Sequence, residues 1–152
     1  MNQPRNSKIN YNGCDYMVAR KLKNSKYFEI AADVAKKSSM IQKHGCIIVY
    51  KNRIISSAYN IMPMKYKDSV HAEINAISKI KHLQHLFKDC ELYIVRIGQN
   101  SMEYPLKYSK PCQHCANFII SKQIRKVYYS INHEFDSYCP HTSPHSAPES
   151  NE

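Results

Sequence analysis

The sequence predicts an α/β fold, a three-layer α/β/α sandwich in which helices cover both faces of one sheet. Three observations carry that expectation. A chain of 152 residues is long enough for one domain with a central sheet layered on two sides. Four short runs rich in Ile, Val and Tyr read as strands. They alternate with segments of helical period in the order α-β-β-α-β-α-β, which places helices against a sheet.

Residues 1–25 are polar, rich in Asn, Lys and Ser, and read as an arm ahead of the domain. From Tyr27 a helical period begins, with Phe28, Ala31, Ala32 and Ala35 on one face. The runs 46–50 and 54–59 form a hairpin over Lys51-Asn52-Arg53. Asp68 and Ser69 offer cap oxygens for a helix beginning near Val70, with Ile74, Ile77 and Ile80 turned inward. Buried strands follow at 92–97 and 127–131. Between them lies a helix that Pro111 suits at its start. Beyond Asn132 the pattern decays into Pro, Ser and His, so 133–152 reads as a disordered tail. The domain is therefore expected over 26–132.

The 22 Lys and Arg outnumber 12 Asp and Glu, a formal charge of +10. Such a field favours phosphate-bearing partners, nucleotides or nucleic acid. Lysines spread evenly along a chain give the same sum without any such role. No stretch is apolar and long enough for a membrane span, and the polar start lacks a secretory core, so a soluble, cytoplasmic protein is expected. Of the six cysteines, only Cys112 and Cys115 are closely spaced, and reduced thiols are expected. Cys46 and Cys90 lie in apolar surroundings and read as small buried hydrophobes.

The chemistry sits in His71-Ala72-Glu73 and Pro111-Cys112-Gln113-His114-Cys115. One imidazole and two thiols hold a zinc ion with one position left open, the arrangement of a catalytic site. The two-residue gap sets both thiols on one side of a helical turn, where the helix end and the metal favour thiolates. Glu73 stands ready to move protons beside them. The pattern H-x-E…P-C-x-x-C marks the zinc-dependent nucleobase deaminases, in which the glutamate is not a ligand. The competing reading is a closed structural clasp with His114 as fourth ligand, which gives Glu73 no task. Cys139, His141 and His145 could form a second metal group but read as part of the solvated tail. His82 and His85 read as exposed histidines on a surface helix.

Over roughly 27–131 the chain resembles the cytidine and deoxycytidylate deaminase superfamily. His71 to Ile77 resembles its first zinc helix and Pro111 to Val127 its second. His44 to Val49 with Ser57-Ala58-Tyr59-Asn60 resembles the preceding hairpin. The resemblance implies a cytidine deaminase-like mixed sheet flanked by helices and one zinc per chain on His71, Cys112 and Cys115. It further implies Glu73 as the catalytic group, Asn60 on the sugar, the backbone of Ala72 on the base, and Ser109-Lys110 beside the exocyclic amine. The Asn60-Ile61-Met62-Pro63 stretch looks most like deoxycytidylate deaminases, although Ile61 replaces their usual Gly. Lys110 stands where transfer-RNA adenosine deaminases carry Glu, and the connection holding Gly98 to Tyr108 is lengthened. The expected activity is hydrolytic deamination of a cytosine nucleotide or nucleoside, in a homo-oligomer. The alternatives are a deaminase of transfer RNA or single-stranded DNA, and a zinc-stabilised interaction module.

Overall fold

The computed structural model describes residues 13–65, 68–98, 106–132 and 134–141, with side chains from Arg20 onward. The first twelve residues of the arm, most of the 98–108 connection, and the tail from 142, His145 included, lie outside the described residues. Helix α1 spans Gly13–Ala35, and the hairpin strands β1 and β2 span Lys43–Tyr50 and Arg53–Tyr59. Then follow α2 (Ala72–Lys79), a 3-10 segment (Lys81–Asp89), β3 (Cys90–Ile97) and β4 (Leu106–Lys107). Helix α3 (Gln113–Ser121), β5 (Lys126–Ile131) and β6 (Glu134–Tyr138) complete the order. The sheet runs β2-β1-β3-β5-β6, with β4 on β3. Only β3 and β5 are parallel; every other strand pair is antiparallel. Strand β5 pairs with Glu91 to Ile94 and β4 with Arg96 and Ile97.

The sandwich expected from the sequence is present, with one apolar core on each face of the sheet. Under α1 lie Phe28, Ala31, Ala35, Ile47, Val49, Tyr93, Val95 and Tyr128. Under α2, the 3-10 segment and α3 lie Cys46, Ile48, Ala76, Ile77, Phe87, Leu92, Ile94, Ile119 and Val127. Successive strand residues alternate between the two cores, as the two-residue repeat of a strand requires. At Gly45 the approach of α1 is close. A Cβ there would sit 2.2 Å from the Ala31 carbonyl oxygen and 2.7 Å from the Ala35 nitrogen.

The structure differs from the sequence reading at both ends of the domain. Helix α1 begins at Gly13, inside the segment read as an arm. Its polar residues are seated by polar contacts, to which a search for apolar period is blind. Asn24, 5% exposed, accepts from the Tyr93 hydroxyl at 3.0 Å, and Arg20 donates to the Tyr128 hydroxyl at 2.9 Å. At the other end β6 extends the sheet beyond Asn132, inside the segment read as tail. Phe135 stacks on Phe28 with centroids 4.8 Å apart.

Smaller differences follow from local geometry. The hairpin turn is two residues, Lys51 and Asn52, both at positive φ (44° and 65°), which matches the twist of paired strands. Asp68 and Ser69 do not cap α2; His71 is its N-cap, and Val70 instead bridges Ile61. Pro111 precedes the α3 N-cap, Cys112, rather than opening the helix. Ile74 is only half-buried, and the inward face of α2 carries Ala72, Glu73, Ala76 and Ile77. The helix expected at His82 and His85 is the 3-10 segment, and both histidines are exposed.

Candidate metal centre

Two helix N-termini meet at one end of the sheet. The Ile61–Val70 bridge, with hydrogen bonds of 3.1 and 2.8 Å, closes the loop after β2 and delivers His71 to the start of α2. Helix α2 is fastened to β2 by Ser56 Oγ on the Ala76 carbonyl (2.7 Å) and Asn75 Nδ2 on the Tyr59 carbonyl (3.0 Å). Helix α3 opens at Cys112, with Cys115 in its first turn. Both N-cap side chains, His71 and Cys112, make no capping hydrogen bond. N-cap side chains ordinarily accept from the first-turn amides; here both are turned to each other instead.

His71 Nδ1 lies 3.2 Å from Cys115 Sγ and 3.6 Å from Cys112 Sγ. The three donor atoms fall within 4.8 Å of one another, and no other such group occurs among the described residues. Ligands ~2.1–2.3 Å from a tetrahedral zinc stand roughly 3.5 Å from each other, so the spacing fits. Cys115 is fully buried and Cys112 exposed, which gives the centre an inner and an outer thiol. His114 is exposed and outside the group, and so are Cys139 and His141.

Glu73 is 3% exposed and also stands outside the three-donor group. Its Oε2 is the one buried side-chain oxygen or nitrogen without a hydrogen-bond partner among the described residues. Burial raises its pKa, against the pull of its own backbone N–H and of His71. The Cys115 thiol is likewise pushed well up, by burial first, then by Glu73 and Cys112. Glu73 and Cys112 thus both oppose ionisation of the buried Cys115 thiol. A divalent cation reverses that balance, since a coordinated thiol is deprotonated outright. The donor set and the unpartnered carboxylate oxygen therefore both fit a zinc ion with a reacting molecule next to it.

Asn60 is buried and pins the start of β1. Its Oδ1 accepts from the His44 N–H at 2.9 Å and its Nδ2 donates to the Gln42 carbonyl at 2.7 Å. Ala72 is fully buried in the first turn of α2. Ser109 Oγ is committed to the sheet, donating to the Ile94 carbonyl (2.9 Å) and lying 2.8 Å from Ser130 Oγ. It thereby seats the segment that leads into Cys112. Sequence reasoning passed over two further neighbours. The Tyr138 phenol is pushed up to about 12, by burial first and then by Glu73, Tyr129 and Cys115. His44 is held down at about 4 by burial, Arg96 and His71. Phe135 and Tyr138, three apart and packed against opposite cores, carry no one-faced strand period that would have flagged the first; His44 entered the sequence reading only as part of the hairpin, without a role.

Fold and centre define a class: an α/β/α domain with a His-Cys-Cys centre at two helix N-termini and a buried carboxylate beside it. Residues 21–131 match the cytidine and deoxycytidylate deaminase zinc-binding region, and the chain belongs to that family. A probable deoxycytidylate deaminase of Caenorhabditis elegans is 30% identical over 108 residues, covering 59% of this chain and 47% of the relative. The chain thus spans about half the length of that curated relative. Among solved structures, the deoxycytidylate deaminase of cyanophage S-TIM5 in apo form is similar with a TM-score of 0.51 and 23% identity, covering 70% of this chain and 80% of that one. Cytidine deaminase from Burkholderia pseudomallei gives 0.58 at 14% identity, covering 76% and 91%. These two likenesses concern the fold. No helix among the described residues is long and apolar enough to cross a membrane.

Proposed function

We propose that this protein hydrolytically deaminates a free cytosine nucleotide to its uracil counterpart, releasing ammonia, with one zinc held by His71, Cys112 and Cys115. The observation that carries the reading is the unpartnered Glu73 Oε2 beside the three-donor centre. Leaving a buried polar atom unsatisfied costs about 1–3 kcal/mol, and a proton carrier for a reacting molecule is the use that explains it. Zinc, when bound, supplies the Lewis acidity that makes water nucleophilic at neutral pH. Glu73 would carry two protons in turn: the first from the attacking water to the ring nitrogen, the second from the hydroxyl that the water leaves on the amine carbon to the departing amine. One water is consumed, one ammonia leaves, and the amine carbon gains a carbonyl oxygen. The α2 N-terminus at Ala72 offers backbone N–H groups to the base. Asn60 keeps one Nδ2 hydrogen and one Oδ1 lone pair beyond its two bonds, enough for a sugar hydroxyl. Ser109 holds the segment facing the exocyclic amine.

The curated relative supports a deoxycytidylate-type substrate, and Lys110 in place of Glu disfavours transfer RNA. The net charge of +10 also suits a polynucleotide substrate, the second reading. Zinc-loaded protein incubated with cytidine, deoxycytidine, their monophosphates and a cytosine-containing single strand decides between them. Uracil product from the monophosphates is expected. Product from the strand alone would install the second reading, and no product from any would end both.

A further inference from the structure

At the end of the sheet that carries the metal centre, one row of side chains crosses four neighbouring segments. Asn60 stands beside His44, joined by the Asn60 N–H on the His44 carbonyl at 3.2 Å. His44 is directly opposite Arg96 of β3, and Arg96 directly opposite Lys107 of β4. Directly opposed residues of antiparallel strands project on one face. Cys46, Ala58 and Ile94, two positions inward of His44, Asn60 and Arg96, belong to the core beneath α2 and α3. The row therefore lies on the side of the sheet that holds the metal centre. Both Arg96 and His71 lie close enough to act on His44.

Two cations directly opposite each other are destabilising across a strand pair, so the pairing of Arg96 with Lys107 needs a reason. Among the described residues neither side chain has a carboxylate partner; the ion pairs are Lys36–Asp33 and Arg125–Glu91. The Arg96 side chain is half-buried, and Lys107 is exposed at the mouth of the row. A planar guanidinium fork with a neighbouring ammonium is the donor set that a phosphate takes: bidentate from Arg, point charge from Lys. Strand β4, which brings Lys107, comes from the lengthened connection after Gly98.

We propose that Arg96 and Lys107 form a subsite for the terminal phosphate of a nucleoside monophosphate whose base lies at Glu73. The proposal rests on the deaminase reading for the position of the base. The order along the sheet is then sugar at Asn60 and phosphate at Arg96 and Lys107. A terminal phosphate carries close to two negative charges, which the two cations match, whereas a strand backbone offers one charge per phosphate.

Calorimetric titration of the zinc-loaded protein with deoxyuridine and with deoxyuridine monophosphate tests this without requiring turnover. The monophosphate is expected to bind about tenfold tighter or more, the effect of one or two hydrogen bonds to a charged group. Arg96→Gln should remove most of that gap while costing the nucleoside far less, with Arg96→Lys intermediate. Lys107→Gln, at an exposed position, keeps the test valid if the Arg96 variants fail to fold. A wild-type protein with no gap, or a gap that survives Arg96→Gln and Lys107→Gln, overturns the subsite. A cytosine-containing single strand that binds tighter than the monophosphate, with a steep salt slope lost in both variants, overturns it in favour of a polynucleotide backbone. Turnover of deoxycytidine without any preference for its monophosphate removes the subsite and leaves the deaminase standing. A binding gap that vanishes in Arg96→Gln, with no turnover of any cytosine compound, supports the subsite and removes the deaminase.

Discussion

At Glu73 the requirements of folding and chemistry oppose each other. Burial penalises its charge and Oε2 has no partner among the described residues, so a neutral side chain of equal shape should be tolerated or preferred. Glu73→Gln is accordingly expected to keep its zinc and to melt no lower than wild type. Its turnover should fall by ~10²–10⁴-fold or more, the usual worth of a general acid–base group. Product formation and elemental analysis on one preparation check this; an active variant, or one that loses zinc as His71→Ala does, assigns Glu73 a different role. His44 carries a pH signature. Its folded pKa near 4 lies below the ~6.5 of an unfolded histidine. The unfolded chain therefore binds the extra proton first, and stability drops as pH falls from about 6.5 towards 4. Bound zinc, being positive, acts in the same sense. Thermal midpoints across that window should decline less steeply in His44→Gln than in wild type. Asn60→Ala removes two part-buried hydrogen bonds, so a loss of about 1–3 kcal/mol in stability should accompany any rise in KM.

The elements were legible in the sequence wherever one face is apolar and regular. The hairpin, β3 and β5 carry strong patterns, and the structure places their ends within three residues of the expected ones, with α3 between β3 and β5. Where polar groups seat an element, the pattern is silent. The first half of α1 is fixed by Asn24 and Arg20 on tyrosine hydroxyls, and β6 has no fully buried residue and breaks its alternation at Ser137 and Tyr138, so neither announced itself. The cap of α2 falls later than the cap oxygens of Asp68 and Ser69 suggest because Val70 is paired with Ile61, which leaves His71 as an N-cap whose side chain makes no capping hydrogen bond. Gly45 gives the element scale its test. With the Ala31 carbonyl 2.2 Å from any added Cβ, Gly45→Ala must push α1 off the sheet. Overpacking of this kind costs about 1–3 kcal/mol, read as a lower denaturation midpoint in urea. An unchanged midpoint would mean that α1 shifts freely over β1.

For the molecule as a whole, the candidate metal ligands were legible because they are contiguous motifs, and the basic row was not because β1, β3 and β4 assemble it from distant residues. The same architecture predicts how the protein responds to losing metal. Helix α1 is held by its own apolar core, remote in the chain from His71, Cys112 and Cys115. The starts of α2 and α3 lack side-chain caps, and in the proposed holoprotein zinc joins them directly. Metal-binding free energy is folding free energy when the site forms only in the fold, so chelation should lower the melting temperature and added zinc restore it. The loss should also be local. Hydrogen exchange is expected to quicken at amides in the first turns of α2 and α3, while β1 and β3 amides under α1 keep their protection. Local opening of this kind draws on the least stable unit first. Uniform acceleration throughout the sheet would show that the centre supports the entire fold, and no change anywhere would show that no metal joins these helices.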